Sequence, residues 1–228
     1  MTRNLCRTDL FFLLYFGLNR PDAWQQWLLD RCLEVYYRPN NHLDLWSRGH
    51  YKSTIITFAK TVQDILCSHG DDPDPSFNGI QMTFGIFSFN RPIAKQFLVQ
   101  IMREFESNQL LKEHFPDVLY SNPKRESPKW SENEGIVVIR SGNPKESTVE
   151  AWGLVDGQPT SKHFNQLIYD DVVTIESVYT PNMMQKTLEA YQMSSNLGDG
   201  SGRQRVIGTR YHFNDLYRHL IDNQIVTP

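Results

Sequence analysis

Residues 42–59 decide the fold, and they read His42-Leu43-Asp44-Leu45-Trp46-Ser47-Arg48-Gly49-His50-Tyr51-Lys52-Ser53-Thr54-Ile55-Ile56-Thr57-Phe58-Ala59. The pattern predicts a strand, a tight turn at Gly49 and a helix that begins near Lys52 and Ser53. Such a helix start surrounds a phosphate group with backbone N–H groups, the helix dipole and a lysine ammonium. The stretch therefore predicts a degenerate phosphate-binding loop and indicates nucleotide hydrolysis.

Two positions depart from the standard form of this loop, which has glycine where this chain has Trp46 and Tyr51. Glycine before the lysine lets the backbone approach a phosphate without a Cβ atom in the way. A tyrosine there requires a helical backbone, with its ring directed away from the phosphate or stacked on the nucleotide. Gly49 supplies the bend. The alternative is that Tyr51 spoils the phosphate cradle and leaves a weak binder.

Composition limits the classes of protein. The 228 residues, 39% hydrophobic and 21% charged, suit one large α/β domain, with residues 1–40 as a helical segment leading into it. A net charge of −3 argues against a broad basic face for nucleic acid, so any DNA contact must be local. Three separated cysteines favour neither a disulfide framework nor a zinc site, and they fit a reducing cytosol. The apolar run at residues 10–18 is too short to span a membrane and predicts a buried or partner-facing helix.

Short apolar segments alternate with helical patterns, which predicts a parallel sheet covered by helices. Strands are expected at residues 43–46, 80–89, 135–140, 148–152, 164–171 and 204–209. The segments 135–140 and 148–152 are expected to pair as a hairpin. Helices are expected after the loop, from about Pro92, and over residues 178–192, and a breaker-rich loop is expected at residues 68–75.

Two acids, Asp170 and Asp171, end the buried strand at residues 164–171. In a doubly wound sheet the carboxyl ends of such strands share one crevice with the phosphate loop. Ser53 and Asp170 are then expected to hold Mg²⁺, Lys52 to contact the β- and γ-phosphates, and Asp171 to orient or deprotonate the attacking water. Glutamate is usual at the last position, so the shorter Asp171 is a departure. The alternative is that both acids cap a following helix.

Taken together, several segments resemble one protein family. They are Ser47 to Thr54 with an arginine four positions before the lysine, residues 167–173, residues 207–217, and residues 105–110 leading to 115–117. In order and spacing these are similar to the ATPase domain of the large subunit of phage terminases, the enzymes that package DNA into viral capsids. The resemblance covers most of the chain.

The resemblance implies a P-loop NTPase with a RecA-like (ASCE) sheet, a small lid subdomain, and ATP and Mg²⁺ as cofactors. It implies a homo-oligomeric ring on a portal protein in the host cytoplasm, which moves double-stranded DNA with a small terminase subunit as partner. Thr209 would couple hydrolysis to movement. The nucleotide would contact Arg48, Gly49, His50, Tyr51, Lys52, Ser53 and Thr54, with the adenine on Gln26 or Gln25. The resemblance also implies an arginine finger, an arginine that a neighbouring subunit supplies to the phosphates. The candidates are Arg140, Arg203, Arg205 and Arg210.

Two further expectations follow. The family's nuclease domain would be absent, because only Asp215 and Asp222 supply acids after residue 209. His212, Asp215 and His219 share one helix face and could form a metal set, although a polar helix face is the stronger reading. The alternatives to a packaging motor are a helicase-like nucleic-acid-dependent ATPase and a nucleotide-binding scaffold with little turnover.

Overall fold

The described part of the chain forms one seven-stranded sheet, in the order β1-β7-β6-β2-β5-β4-β3. The structure is a computed structural model, and it describes residues 1–38, 40–67, 81–200 and 203–228. The strands are β1 (His42–Leu45), β2 (Phe84–Ser88), β3 (Trp130–Ser131), β4 (Gly135–Ile136), β5 (Val149–Gly153), β6 (Gln166–Asp170) and β7 (Gln204–Gly208). The five strands β1, β7, β6, β2 and β5 are parallel, and β4 and β3 add an antiparallel edge. The predicted α/β fold with a mostly parallel central sheet is confirmed.

Helices cover both faces of this sheet. They are α1 (Thr2–Thr8), α2 (Leu10–Phe12), α3 (Gln26–Tyr37), α4 (Thr61–Leu66), α5 (Arg91–Ser107), α6 (Gln109–His114), α7 (Pro123–Glu126), α8 (Pro181–Ser195) and α9 (Leu216–Asp222). Leu13–Gly17 and Ser53–Lys60 wind as π-helices, and the second of these continues directly into α4. Pro21–Ala23 and Glu176–Val178 are 3₁₀ turns.

The alternation of side chains along the strands creates two cores. In β6, Ile168 joins a core formed with the N-terminal helices, the π-helix Ser53–Lys60 and α5. Its neighbours Leu167 and Tyr169 join a second core with α8 and α9. Because β6 is buried on both faces, its sequence is a nearly continuous apolar run, as expected for a central parallel strand.

Several boundaries differ from the sequence prediction. The strand expected at residues 80–89 is the shorter β2, and its predicted first residue lies outside the described residues, as does the loop predicted at residues 68–75. The hairpin prediction is only partly right, since β4 pairs with β5 at the single position Ile136 to Val149. The helix expected from residue 178 begins at Pro181, because the side chain of Thr180 caps it by accepting a 3.2 Å hydrogen bond from the N–H of Met183.

The apolar run near the N-terminus packs into the first core. Leu10, Leu13 and Leu14 are buried there, while Phe16 on the same run is exposed. Among the described residues, none of the helices combines the length and the apolar character needed to cross a bilayer. The prediction of a buried helix therefore holds for one side of this segment.

Candidate functional site

The register of the parallel strands brings three chain segments to one edge of the sheet. Asp170 at the end of β6 lies opposite Ile207 in β7, and Ile207 lies opposite Asp44 in β1. The last residues of β1 and β7, Leu45 and Gly208, also lie opposite each other. The segments that follow β1, β6 and β7 therefore leave the sheet side by side, as the sequence predicted.

The segment after β1, which we call the 46–52 loop, turns through two left-handed residues. Gly49 has φ 78° and Tyr51 has φ 60°. A Cβ atom on Gly49 would meet nothing within 4 Å, so no neighbouring group requires glycine at this position. Glycine is favoured there because of its left-handed backbone conformation. The π-helix begins at Ser53 and is entered through a 2.8 Å hydrogen bond from the N–H of Ile55 to the carbonyl of Tyr51.

Tyr51 is directed towards the N-terminal segment. Its hydroxyl donates a 2.7 Å hydrogen bond to Asp22, the guanidinium of Arg20 lies 5.8 Å from its ring, and Trp27 packs edge-on with ring centroids 6.2 Å apart. The expectation of a helical backbone at Tyr51 is wrong, because its φ is left-handed. Such a conformation costs a residue with a side chain about 1–2 kcal/mol, and these three contacts hold it.

Lys52 is buried, with 7% of its surface exposed. Its ammonium donates a 3.0 Å hydrogen bond to the hydroxyl of Thr209, and it lies 3.4 Å from Oδ2 of Asp171. Three residues predicted for the site, from three different segments, therefore meet at one point. The buried cation is balanced by one carboxylate that is itself partly exposed.

Asp170 is held by two hydroxyl groups of the π-helix. Ser53 donates a 3.0 Å hydrogen bond to Oδ1, and Thr57 donates to Oδ2. Asp170 is only 1% exposed, and this burial raises the pKa of its carboxyl to about 6, against the lowering effect of the bond from Thr57. The charge of Asp171 raises the pKa further, whereas Ser53 and Lys52 lower it.

Sequence reasoning missed Thr57. The signal was its position four residues after Ser53, which places both side chains on one helical face. Threonine within an apolar run looks like a core residue, and Thr57 is indeed fully buried. Its hydroxyl nevertheless has a specific charged acceptor in Asp170.

Asp171 follows β6 in a left-handed conformation, with φ 47°. Its N–H donates a 2.9 Å hydrogen bond to the carbonyl of Ile207, which extends the β6–β7 pairing by one residue. One carboxylate oxygen, Oδ1, is buried and has no hydrogen-bond partner in the part of the chain that the structure describes. A buried acceptor of this kind costs free energy unless it binds something, so Oδ1 marks a position for a water molecule or ligand.

Tyr217 contacts the backbone at the carboxyl ends of β6 and β7. Its hydroxyl accepts a 3.4 Å hydrogen bond from the N–H of Val173, just after Asp171. A Cβ atom at Gly208 would lie 1.9 Å from the same hydroxyl, so only glycine allows this approach. The buried phenol of Tyr217 therefore packs against the backbone at the carboxyl ends of both β6 and β7, next to Asp171 and Thr209.

Arg48 and the two glutamines make contacts elsewhere. The guanidinium of Arg48 donates to the hydroxyl of Tyr211 and lies 5.6 Å from its ring. The side-chain amide of Gln26 donates a 3.0 Å hydrogen bond to Asp30, and Gln25 accepts one of 2.7 Å from Trp27. Trp27 in turn packs edge-on against His50, so this tryptophan links Gln25 to the 46–52 loop.

The candidate finger arginines occupy different environments. Arg205 lies at the amino end of β7, is 11% exposed and pairs with the buried Asp64, so its guanidinium already has a charged partner in this chain. Arg203 precedes the same strand, and Arg140 lies near the amino end of β5 and bonds to carbonyl groups. Arg210 is exposed directly after Thr209, at the edge of the sheet where the site lies.

The edge offers oxygen atoms to a metal ion. Two carboxylates and the hydroxyl of Ser53 suit Mg²⁺, which usually takes one or two carboxylates together with phosphate and water oxygens. Within the described ranges, residues 1–38, 40–67, 81–200 and 203–228, no three His, Cys, Asp or Glu side chains are grouped as metal ligands. The predicted set His212, Asp215 and His219 does not share one helix face, because α9 begins at Leu216; Asp215 caps this helix through a 3.2 Å bond from the N–H of Arg218.

No protein-family model matches the chain, and a search of curated proteins finds no matching sequence. The geometry at the edge of the sheet therefore carries the functional argument.

Proposed function

We propose that the chain binds Mg-ATP at the edge formed by β1, β6 and β7 and hydrolyses it as a P-loop NTPase of the RecA-like type. One observation carries the proposal: Lys52 lies between Asp171 and Thr209, while its neighbour Ser53 bonds to Asp170. A lysine and a hydroxyl at a helix start, opposite a buried acid, are the parts that position a polyphosphate and its metal ion. The mostly parallel sheet is compatible with this fold class.

The phosphates would be held by the start of the π-helix and by Lys52. The N–H groups at the start of the π-helix, together with the ammonium of Lys52, would hold the β- and γ-phosphates. Among the described residues the ammonium forms an ion pair only with Asp171, so a phosphate oxygen can replace the Thr209 hydroxyl as its partner without leaving a charge unpaired. Thr209, which this exchange would release, is the residue through which hydrolysis is proposed to affect the segment after β7.

Ser53 and Asp170 would hold the Mg²⁺ ion, whose chemistry is to neutralise the phosphate charge and align the reacting oxygens. The donor set fits, because both residues offer oxygen atoms that already face each other at 3.0 Å. Asp171 would orient or deprotonate the attacking water through its unpartnered Oδ1. Its left-handed backbone and its bond to Ile207 fix where this short side chain begins.

The specific biological role we propose is the packaging motor of a terminase large subunit, acting on double-stranded DNA. It is supported by the order of the motifs and by the meeting of their residues at one edge. Two alternatives remain to be tested against it: a helicase-like ATPase, which single strands would stimulate, and a scaffold that binds nucleotide with little turnover, which Tyr51 and the short Asp171 would favour.

Calorimetric titration with Mg-ATP and a phosphate-release assay test the proposal together. Lys52→Ala should abolish binding, because it removes the cation at the transferred phosphate, whereas Lys186→Ala on the exposed surface of α8 should bind as the wild type does. Asp171→Asn should bind Mg-ATP and release little phosphate. Unchanged affinity in Lys52→Ala would place the nucleotide elsewhere. Binding without phosphate release at high protein concentration would leave the scaffold as the function.

A second pair of measurements separates the motor from the helicase. Phosphate release should be stimulated by double-stranded DNA more than by single strands of the same length. Stimulation by single strands alone would contradict the packaging role. Glu176→Gln serves as a control for Asp171→Asn, since Glu176 is the next acid along the chain and is exposed; loss of turnover in this variant alone would move the base to Glu176.

A further inference from the structure

A basic pocket lies at the opposite edge of the sheet from the proposed nucleotide site. Val149 at the amino end of β5 pairs with Phe84 at the amino end of β2, so the residues just before β5 lie at the amino edge. There the chain before β5 folds back on itself through a 3.2 Å bond from the N–H of Val138 to the hydroxyl of Thr148. The pocket between these segments has a volume of about 220 Å³, and Tyr120, Lys129, Arg140 and Lys145 are among its lining residues.

Arg140 is the central cation of this pocket. One of its nitrogens, Nη2, donates to the carbonyls of Glu146 at 2.8 Å and Pro144 at 3.3 Å, which closes the loop between them. The other, Nη1, is buried and has no hydrogen-bond partner within the described residues. Burial lowers the pKa of the Arg140 guanidinium, but an arginine stays protonated in proteins. The loop therefore holds a cation with an unsatisfied donor, which costs free energy until an acceptor arrives.

Two carboxylates, Glu146 and Glu150, act on the Arg140 charge only from beyond ion-pair distance. Lys145 donates a 2.7 Å hydrogen bond to the carbonyl of Ser161, which is neutral. Among the residues that the structure describes, neither lysine nor Arg140 has a carboxylate oxygen within ion-pair distance. The one acid in the lining, Glu146, is buried and accepts a 3.0 Å hydrogen bond from the N–H of His163. By contrast, the buried Glu150 nearby is paired with Lys162 at 2.9 Å.

Three cations thus line one cavity without an ion-pair partner among the described residues, and we propose that this Tyr120–Lys129–Arg140–Lys145 pocket binds a phosphate group, either free or in a nucleic-acid backbone. A guanidinium with a free N–H group matches phosphate oxygens, and lysines add charge around it. The net charge of the chain is −3, so its surface as a whole does not attract phosphate. A phosphate contact therefore requires a local cluster of cations, such as this pocket. The site is separate from the proposed nucleotide site and does not depend on it.

Two probes at low ionic strength with EDTA test the pocket: inorganic phosphate by calorimetry, and a short DNA duplex of mixed sequence by fluorescence anisotropy. Both are applied to Lys52→Ala as well as to wild type, so that phosphate at the 46–52 loop is recognised. Lys129→Glu should weaken binding at least tenfold, because it reverses a charge in the pocket. Lys186→Glu, on α8, should bind as the wild type does. For DNA, Lys129→Gln should lower the slope of log affinity against log salt by about 1.

Arg140→Gln could fail to fold, because Arg140 also closes its loop, so Lys129→Glu and Lys145→Gln decide the test. Binding that survives in Lys52→Ala and is lost in Lys129→Glu supports the pocket. Phosphate binding alone assigns it to a free anion, and DNA binding assigns it to a backbone. Binding that is lost in Lys52→Ala and unchanged in Lys129→Glu overturns the proposal, and so does a result in which neither probe binds. Neither result would bear on ATP hydrolysis.

Discussion

The hydroxyl of Tyr51 donates a 2.7 Å hydrogen bond to the carboxylate of Asp22, which joins the 46–52 loop to the 3₁₀ turn ahead of α3. Asp22 is also paired with Arg20 at 2.8 Å. The bond from Arg20, followed by that from Tyr51, holds the pKa of the Asp22 carboxyl well below its usual range. Tyr51, which departs from the glycine of the standard phosphate loop, therefore ties the loop to the N-terminal segment.

Tyr51→Phe should loosen this loop without unfolding the protein. The Tyr51–Asp22 bond is exposed, so its loss should change the free energy of unfolding by less than about 1 kcal/mol. Amide hydrogen exchange of residues 48–54 should accelerate, and Asp22→Asn should give the same pattern. If exchange in this segment is unchanged in both variants, the bond does not restrain the loop.

Thr57→Val should destabilise the metal-free protein by about 1.5–3 kcal/mol, the range for a buried hydrogen bond to a charged acceptor. It should also weaken Mg-ADP binding, because Asp170 loses one of its two donors. Thr57→Ser keeps a hydroxyl and should restore both. Urea unfolding in EDTA and calorimetric titration provide the two measurements.

Thr61→Val is the matched control for Thr57. Thr61 is equally buried on the same continuous helix, but its hydroxyl has no partner among the described residues. Replacing it with a methyl group should leave stability equal or higher. Equal losses in Thr57→Val and Thr61→Val would show that both act only through packing.

Asp170→Asn should make the metal-free protein more stable at neutral pH. The folded carboxyl has a pKa of about 6 against an ordinary value of 3.8, so the folded state binds the proton more tightly. The contribution of Asp170 to stability is therefore greatest below about pH 4 and falls as pH rises through 6, by roughly 3 kcal/mol at most. Thermal unfolding in EDTA from pH 4 to 8 should show that wild type loses stability relative to Asp170→Asn. Parallel curves would mean that Asp170 does not titrate in this range.

Tyr211→Phe should increase the affinity for Mg-ATP. It removes the hydroxyl that accepts from Arg48 but keeps the ring beneath the guanidinium. If Arg48 must exchange Tyr211 for a phosphate oxygen, loss of a hydrogen bond worth about 1 kcal/mol should tighten binding roughly fivefold. The control is Tyr179→Phe, whose phenol is exposed. Weaker binding would show instead that Tyr211 prepares Arg48 for the nucleotide.

The sequence was sufficient where local patterns and chain order decide the structure. The strand before Gly49, the buried strand ending in Asp170 and the shared edge all follow from strand patterns and from parallel pairing. Lys52 and Ser53 could be assigned to the candidate site because a helix start fixes their backbone. These are the parts that short-range periodicity specifies.

Other parts depend on partners that are distant in sequence. Nothing near Tyr51 indicates that Asp22 accepts its hydrogen bond, so its left-handed backbone was not predictable. The sequence could not choose among the four candidate finger arginines, because a partner such as Asp64 for Arg205 lies on a different element. The role of Thr57 could not be predicted for the same reason. Its acceptor Asp170 is more than a hundred residues away in sequence, and only the fold brings the two side chains together.

The helical segment from Ser53 through α4 is fastened to the sheet at both ends. Ser53 and Thr57 bond to Asp170 of β6, while Asp64 is bonded to Lys60 on the same segment and to Arg205 of β7. A rod fixed at two points cannot tilt when a ligand arrives at one end. If the edge binds a nucleotide as proposed, we expect motion to be confined to the 46–52 loop and to the residues after Gly208, with this helical segment staying in place.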